Sequence, residues 1–172
     1  MCAIAGIIGN SINKIDKMVN VLEHRGPDEK RIFIDNVSKV SLGMARLSII
    51  DLKSKGLCLY QYDKYILSYN GEIYNFKEIK KELENKGVKF TTKCDTEVFL
   101  KSYINWGIKC FTKFNGMFAA AIYDIRKKKI ILARDIAGEK PLYFYYGKHT
   151  FAFASEAKAF YKNFDLSRNK NQ

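Results

Sequence analysis

The sequence predicts a layered α/β sandwich. Three observations carry that prediction: apolar or alternating strand-like runs recur along the chain, amphipathic helical stretches interrupt them, and turn residues separate them. The chain has 172 residues, of which 47% are hydrophobic and 14% aromatic. That size and composition suit one packed domain and exclude a disordered chain. We place the domain over 1–163 and read 164–172 as a polar tail or the start of a linker.

CAIAGIIG, from Cys2, reads as a short buried strand. Ser11 to Glu23 reads as a helix with Ser11 as its N-cap. RIFIDN and KVSLGMARLSIID are strand-like, the second running to Asp51. YILSYNG is a further strand, turning at Asn70-Gly71, a strong turn dipeptide. Phe76 to Lys86 is helical, with Phe76, Ile79 and Leu83 at spacings of three and four and Gly87 as the stop. Asp95 to Trp106 makes a second helix, capped by Asp95, with Val98, Phe99, Tyr103 and Trp106 on one face. GMFAAAIYD, KIILARD, KPLYFYYG and HTFAFAS are four strands separated by short turns, and Ser155 to Tyr161 closes the domain as a short helix.

Composition narrows the function classes. No apolar run approaches the roughly 20 residues needed to span a bilayer. The start, MCAIAGIIGNSINK, lacks the basic n-region of a signal peptide. Cys2, Cys58, Cys94 and Cys110 are widely spaced, and His24 and His149 are isolated, so we expect reduced cytoplasmic thiols and no metal cage. The formal net charge is +12, but only six of the 30 basic residues are arginine and the lysines are scattered. A solvated lysine surface, or an acidic protein partner, explains that charge better than nucleic acid does.

Cys2 is the most pointed residue. Once Met1 is trimmed, its thiol and a free α-amine share one residue. An α-amine has a pKa of roughly 7.7–8.0, so near neutrality it supplies a base beside the nucleophile. A buried structural cysteine is the competing reading. NGEIYN, from Asn70, sets a side-chain amide beside a glycine N–H, two donors that can converge on a developing oxyanion. An ordinary Asn-Gly turn is the competing reading there. HRGPD, from His24, is a polar turn. Arg46 interrupts the apolar run GMARLSII and needs a carboxylate, from the protein or from a substrate.

MCAIAGIIG, HRGPD, ARLSIIDL, YNGEIYNF, CDTEVFL, NGMFAAAIYD, ARDIAGEKPLYF and FAFASEAKA, in that order, resemble the glutaminase domain of class II glutamine amidotransferases. RLSIID, the ARD to KPLYF segment and FASE-x-KA are most similar to the asparagine synthetase branch. The resemblance runs from Cys2 to about Tyr161. It implies an α+β, N-terminal-nucleophile hydrolase-like fold, a four-layer αββα sandwich with two stacked antiparallel sheets.

The resemblance also implies roles. Cys2 is the nucleophile and its α-amine the base, through a water. Asn70 and Gly71 form the oxyanion hole. Arg46 holds the α-carboxylate of L-glutamine, and Glu72, through its backbone or side chain, holds the α-ammonium with Asp95. The implied reaction is hydrolysis of the glutamine side-chain amide through a γ-glutamyl thioester, releasing ammonia to a synthetase domain or subunit. The glutaminase half needs no cofactor; ATP and magnesium would belong to the synthetase. No nucleic acid or membrane partner is expected. Ala3 stands where the family usually has glycine and Met44 where it often has histidine. With Ala3 in that place, a non-catalytic glutamine-sensing or regulatory module on the same fold is the alternative reading. A different N-terminal-nucleophile amidase is a third.

Overall fold

The computed structural model describes residues 2–47, 59–161 and 163–164. The chain forms two compact units, one from residues 1–49 and 142–172 and the other from residues 50–141.

The first unit is a five-stranded antiparallel sheet. Its strands are β1 (Ala3–Gly9), β2 (Glu29–Asp35), β3 (Val40–Arg46), β8 (Tyr143–Gly147) and β9 (Thr150–Ala154), in the order β2-β3-β1-β9-β8. Because side chains alternate across a strand, Ala3, Ala5 and Ile7 share one face of β1. They pack with Ala45, Ala152 and Ala154 against Ile15, Met18 and Val19 of α1 (Ile15–Val21) and Phe160 of α4 (Lys158–Tyr161). Small residues let α1 lie close: a Cβ on Gly43 would stand 2.3 Å from Val19 Cγ2. The other face carries Ile4, paired with Met44, and Gly6, paired with Leu42 and Phe153.

The second unit is a four-stranded antiparallel sheet, β4 (Leu59–Tyr62), β5 (Tyr65–Ile73), β6 (Gly116–Asp124) and β7 (Lys129–Arg134), in chain order. Leu67, Tyr69 and Ile73 of β5 pack against Ile79 and Leu83 of α2 (Phe76–Glu84) and Val98, Phe99 and Leu100 of α3 (Asp95–Trp106). Phe99 centres an aromatic group, its ring 4.9 Å from those of Tyr69 and Phe114. Beside it, Lys101 pairs with Glu97 at 2.6 Å, with side chains 3% and 0% exposed. Glu97 also accepts from the amides and hydroxyls of Thr91 and Thr92. Burial works to raise the Glu97 pKa, but the bonds from Lys101, Thr92 and Thr91 outweigh it and hold the carboxyl at about 2.

Several expectations need correcting. The helix expected from Ser11 to Glu23 is three pieces: a 3-10 turn at Ile12–Lys14, α1, and a second 3-10 turn at Glu23–Arg25. Ser11 makes no side-chain cap bond; its hydroxyl instead meets that of Thr150 at 3.2 Å. The strand does not turn at Asn70-Gly71 but runs on to Ile73, because β6 pairs it residue for residue, Asn70 with Ala119 and Gly71 with Phe118. α2 ends at Glu84. Gly87, with φ +83°, then closes it through Val88 N–H to Leu83 O at 3.1 Å. Regular helix in the closing segment spans Lys158–Tyr161 only. β4 and a 3-10 run at Gly107–Lys113 add to the expected elements. The expected extension of β3 to Asp51 lies outside the described residues beyond Leu47. Among the described residues, no helix is long and apolar enough to cross a membrane.

Candidate active site

Cys2 and Arg46 belong to the first unit. Cys2 immediately precedes β1, and its half-buried thiol points at the carbonyl of Leu47, 3.8 Å away. The register Ala3 to Ala45, carried one step further, sets Cys2 opposite Arg46, and Arg46 is paired on its other side with Glu29. Three neighbouring strand ends thus present a thiol, a guanidinium and a carboxylate in a row. Arg46 sits at the end of β3 and not within its apolar interior. Its Nη1 donates to Glu29 Oε2 at 3.3 Å. That carboxylate answers the desolvation of a side chain only 13% exposed.

Ala3 is accommodated without strain. Its methyl is fully buried on the helix-facing side, beside Ala5 and Ala45, and its φ is not positive. Alternation therefore turns it away from the face that Cys2 shares with Ile4. Met44 is also buried, across from Ile4.

Sequence reasoning missed Arg25 and Glu156. Arg25 Nε donates to the carbonyl oxygen of Cys2 at 3.3 Å, and its Nη1 donates to Glu156 Oε1 at 2.9 Å. HRGPD and FASE-x-KA held the signal, but the two residues lie 131 positions apart and nothing local links them.

Asn70, Gly71, Glu72 and Asp95 belong to the second unit. Asn70 is 3% exposed, and its Nδ2 has no hydrogen-bond partner among the described residues. A buried amide donor without an acceptor is rare, because desolvation without a bond costs roughly 1–3 kcal/mol. The backbone of Gly71 can be oriented from its neighbours. Phe118, its partner on β6, directs both N–H and C=O toward Asp135, donating to Oδ2 at 3.1 Å and accepting from the amide at 2.8 Å. Gly71 and Phe118 are therefore a non-hydrogen-bonded pair. The Gly71 N–H points away from β6, as does that of Ile73, and among the described residues the register of β4 on that side starts with Leu59 opposite Ser68. Close strand approach demands glycine here, since a Cβ would stand 2.4 Å from Met117 O.

Asp95 does not cap α3. The N-cap is Cys94, without a side-chain cap bond. Asp95 instead reaches to β5, where its Oδ2 accepts from the Tyr69 hydroxyl at 2.7 Å and from the Ile73 amide at 3.1 Å. Burial raises its pKa above the ordinary 3.8 against the bonds from Tyr69, Ile73 and Thr96, and the Glu72 carboxylate nearby raises it further. Among the described residues, no cationic side chain pairs with Asp95. Asp95 and Glu72 thus set two carboxylates near one another at this end of β5. Among the described residues, no three His, Cys, Asp or Glu side chains form a metal cage.

Residues 1–172 match the family described as "Glutamine amidotransferase domain", and the chain belongs to that family. It is 34% identical to asparagine synthetase [glutamine-hydrolyzing] 3 of Bacillus subtilis, over 96% of this chain and 28% of that protein. It is 41% identical to asparagine synthetase [glutamine-hydrolyzing] 1 of the same organism, over 84% of this chain and 23% of that protein. The chain thus spans about a quarter of the length of these curated relatives. The fold is that of a solved glutamine phosphoribosylpyrophosphate amidotransferase of B. subtilis, with TM-score 0.76 at 22% identity, over 92% of this chain and 43% of that one. The expected N-terminal-nucleophile hydrolase-like α+β class holds.

Proposed function

We propose that this domain hydrolyses the side-chain amide of glutamine to glutamate and ammonia, with Cys2 as nucleophile. The observation that carries the proposal is the buried, unpartnered Nδ2 of Asn70 beside a Gly71 N–H turned away from its sheet partner. Together they supply the two donors that a tetrahedral oxyanion needs.

The α-amine of Cys2, once freed, takes the thiol proton. The thiolate attacks the Cδ of glutamine, and the carbonyl oxygen, now negative, accepts from Asn70 and Gly71. The proton returns through the amine to the leaving nitrogen, so ammonia departs and a γ-glutamyl thioester remains. Water, deprotonated by the same amine, opens the thioester to glutamate and restores the thiol. Arg46 binds the α-carboxylate. Asp95, with Glu72, binds the α-ammonium, so substrate charge meets fixed charge of the opposite sign. The curated relatives are named asparagine synthetases, and we propose a synthetase domain or subunit as the consumer of the ammonia. A net charge of +12 favours an acidic docking face on that partner.

Glutamate release from glutamine tests the reading. The protein must be shown by mass spectrometry to begin at Cys2, since an acylated α-nitrogen is no base. A Cys2→Ala variant should be inactive. A module that only senses glutamine would bind it without turnover. A general amidase would accept amides lacking the amino-acid head. Full activity with Met1 retained would refute the terminal-amine mechanism.

A further inference from the structure

A nucleophile at the start of a chain has polypeptide on one side only. Its α-amine is held by no preceding peptide, so the ψ torsion of Cys2 sets where amine and thiol lie relative to β1. Holding the Cys2 carbonyl oxygen restricts that torsion, and two consecutive residues after β9 supply the restraint. Ser155, fully buried, accepts from Ile4 N through its hydroxyl at 2.9 Å and donates its own amide to Ile4 O at 2.9 Å. Glu156 accepts from Arg25 Nη1 at 2.9 Å while Arg25 Nε donates to Cys2 O at 3.3 Å. Arg25 itself has a fixed base: a Cβ on Gly26 would stand 2.4 Å from Ala45 O, so that loop lies directly on β3.

We infer that Glu156 is a positioning residue, acting through Arg25 to fix the backbone of the nucleophile Cys2. This inference rests on the proposed role of Cys2. Glu156 lies among three basic side chains, bonded to Arg25 and with His24 Nε2 and Lys158 Nζ each 2.9 Å from its carboxylate. Burial alone would raise its pKa, but bonds from Arg25, Lys158 and His24 hold it at about 2, so it is charged at any working pH. Neutralising it removes the charge that holds Arg25 Nη1 while Nε donates to Cys2 O, so the guanidinium is gripped less firmly at the nucleophile.

The test is Glu156→Gln in the full chain, which keeps the shape and removes the charge. Mispositioning of a reacting group by about 1 Å costs up to roughly 100-fold in rate, so we expect kcat to fall at least about tenfold. KM for glutamine should hold, the variant should melt lower yet stay folded at the assay temperature because the charge of Glu156 also supports the fold, and alkylation of Cys2 by iodoacetamide should change in rate. Lys158→Ala, which leaves the Arg25 bond in place, should keep kcat within about twofold, as expected for a half-exposed ion pair. Wild-type kcat in Glu156→Gln, with Cys2→Ala inactive, would overturn the inference and leave the nucleophile assignment standing. Loss of kcat only in step with lost folded protein would make Glu156 merely structural and overturn it too. Full activity in Cys2→Ala would remove the nucleophile and the inference together.

Discussion

The hydroxyl of Tyr69 donates to Asp95 Oδ2 at 2.7 Å, tying the first residue of α3 to the middle of β5. The same oxygen takes the Ile73 amide, so a carboxylate that the sequence presents as a helix cap is turned toward the sheet. Among the described residues the arrangement keeps a half-buried carboxylate without a cationic partner, a desolvated charge that a bound ammonium would offset.

Asp95→Asn should therefore raise the KM for glutamine about 30-fold or more, the effect of removing one partner of a desolvated charge pair worth roughly 2–5 kcal/mol. Stability should move the other way. The folded-state pKa lies above 3.8, so the stability that Asp95 lends is fully present below pH 3.8 and is lost as pH rises through the folded value. The variant should be more stable than the parent at pH 7, with the difference closing below pH 3.8. Urea titrations at both pH values check the sign.

Asn70→Ala should lower kcat by roughly 10²–10³ with little change in stability, because its Nδ2 makes no bond to lose. Steady-state kinetics beside thermal melting separates the two quantities. A raised KM at constant kcat would move Asn70 from transition-state stabilisation to substrate binding.

Ala3→Gly would restore the residue usual in the family, and it should not raise kcat. The methyl is fully buried in the helix-facing core and away from Cys2. Removing it should destabilise the fold by about 1 kcal/mol, through lost burial and added chain entropy. A denaturant midpoint and a kcat measurement decide.

Glu97→Gln should destabilise by about 3–5 kcal/mol at pH 7, since it strands the ammonium of Lys101, 3% exposed. The parent carries the complementary pH signature. Its carboxyl titrates at about 2 when folded against an ordinary 4.5, so the contribution is present above pH 4.5 and is lost as pH falls through 2. The stability gap between parent and variant should narrow over that window.

Where periodicity spoke, the sequence was legible. GMFAAAIYD and KIILARD became β6 and β7, and α3 spans Asp95 to Trp106 as its apolar face requires. Reading failed where distant partners overrule local preference. Pairing with β6 straightens Asn70-Gly71, and Tyr69 draws Asp95 away from capping. β4 is a four-residue edge strand without clear alternation, too short to announce itself. The six candidate site residues, whose roles are proposed, could be named from the sequence because the motifs carry them. Glu29 and Glu156 were not, since only folding shows which carboxylate meets which arginine.

Holding Asn70-Gly71 inside a strand has a chemical consequence. In a flexible chain, the nitrogen of a glycine that follows asparagine attacks the side-chain carbonyl, expels ammonia and leaves a succinimide that opens to aspartate or isoaspartate. That ring closure needs a backbone bend, and β5, paired through Ile73 with Gly116, does not allow it. The native sheet therefore protects from spontaneous deamidation the same amide that we place against the oxyanion. Each excursion to the unfolded state exposes it to irreversible ageing. Activity should fade with the accumulated time spent unfolded, even in a sample that refolds completely.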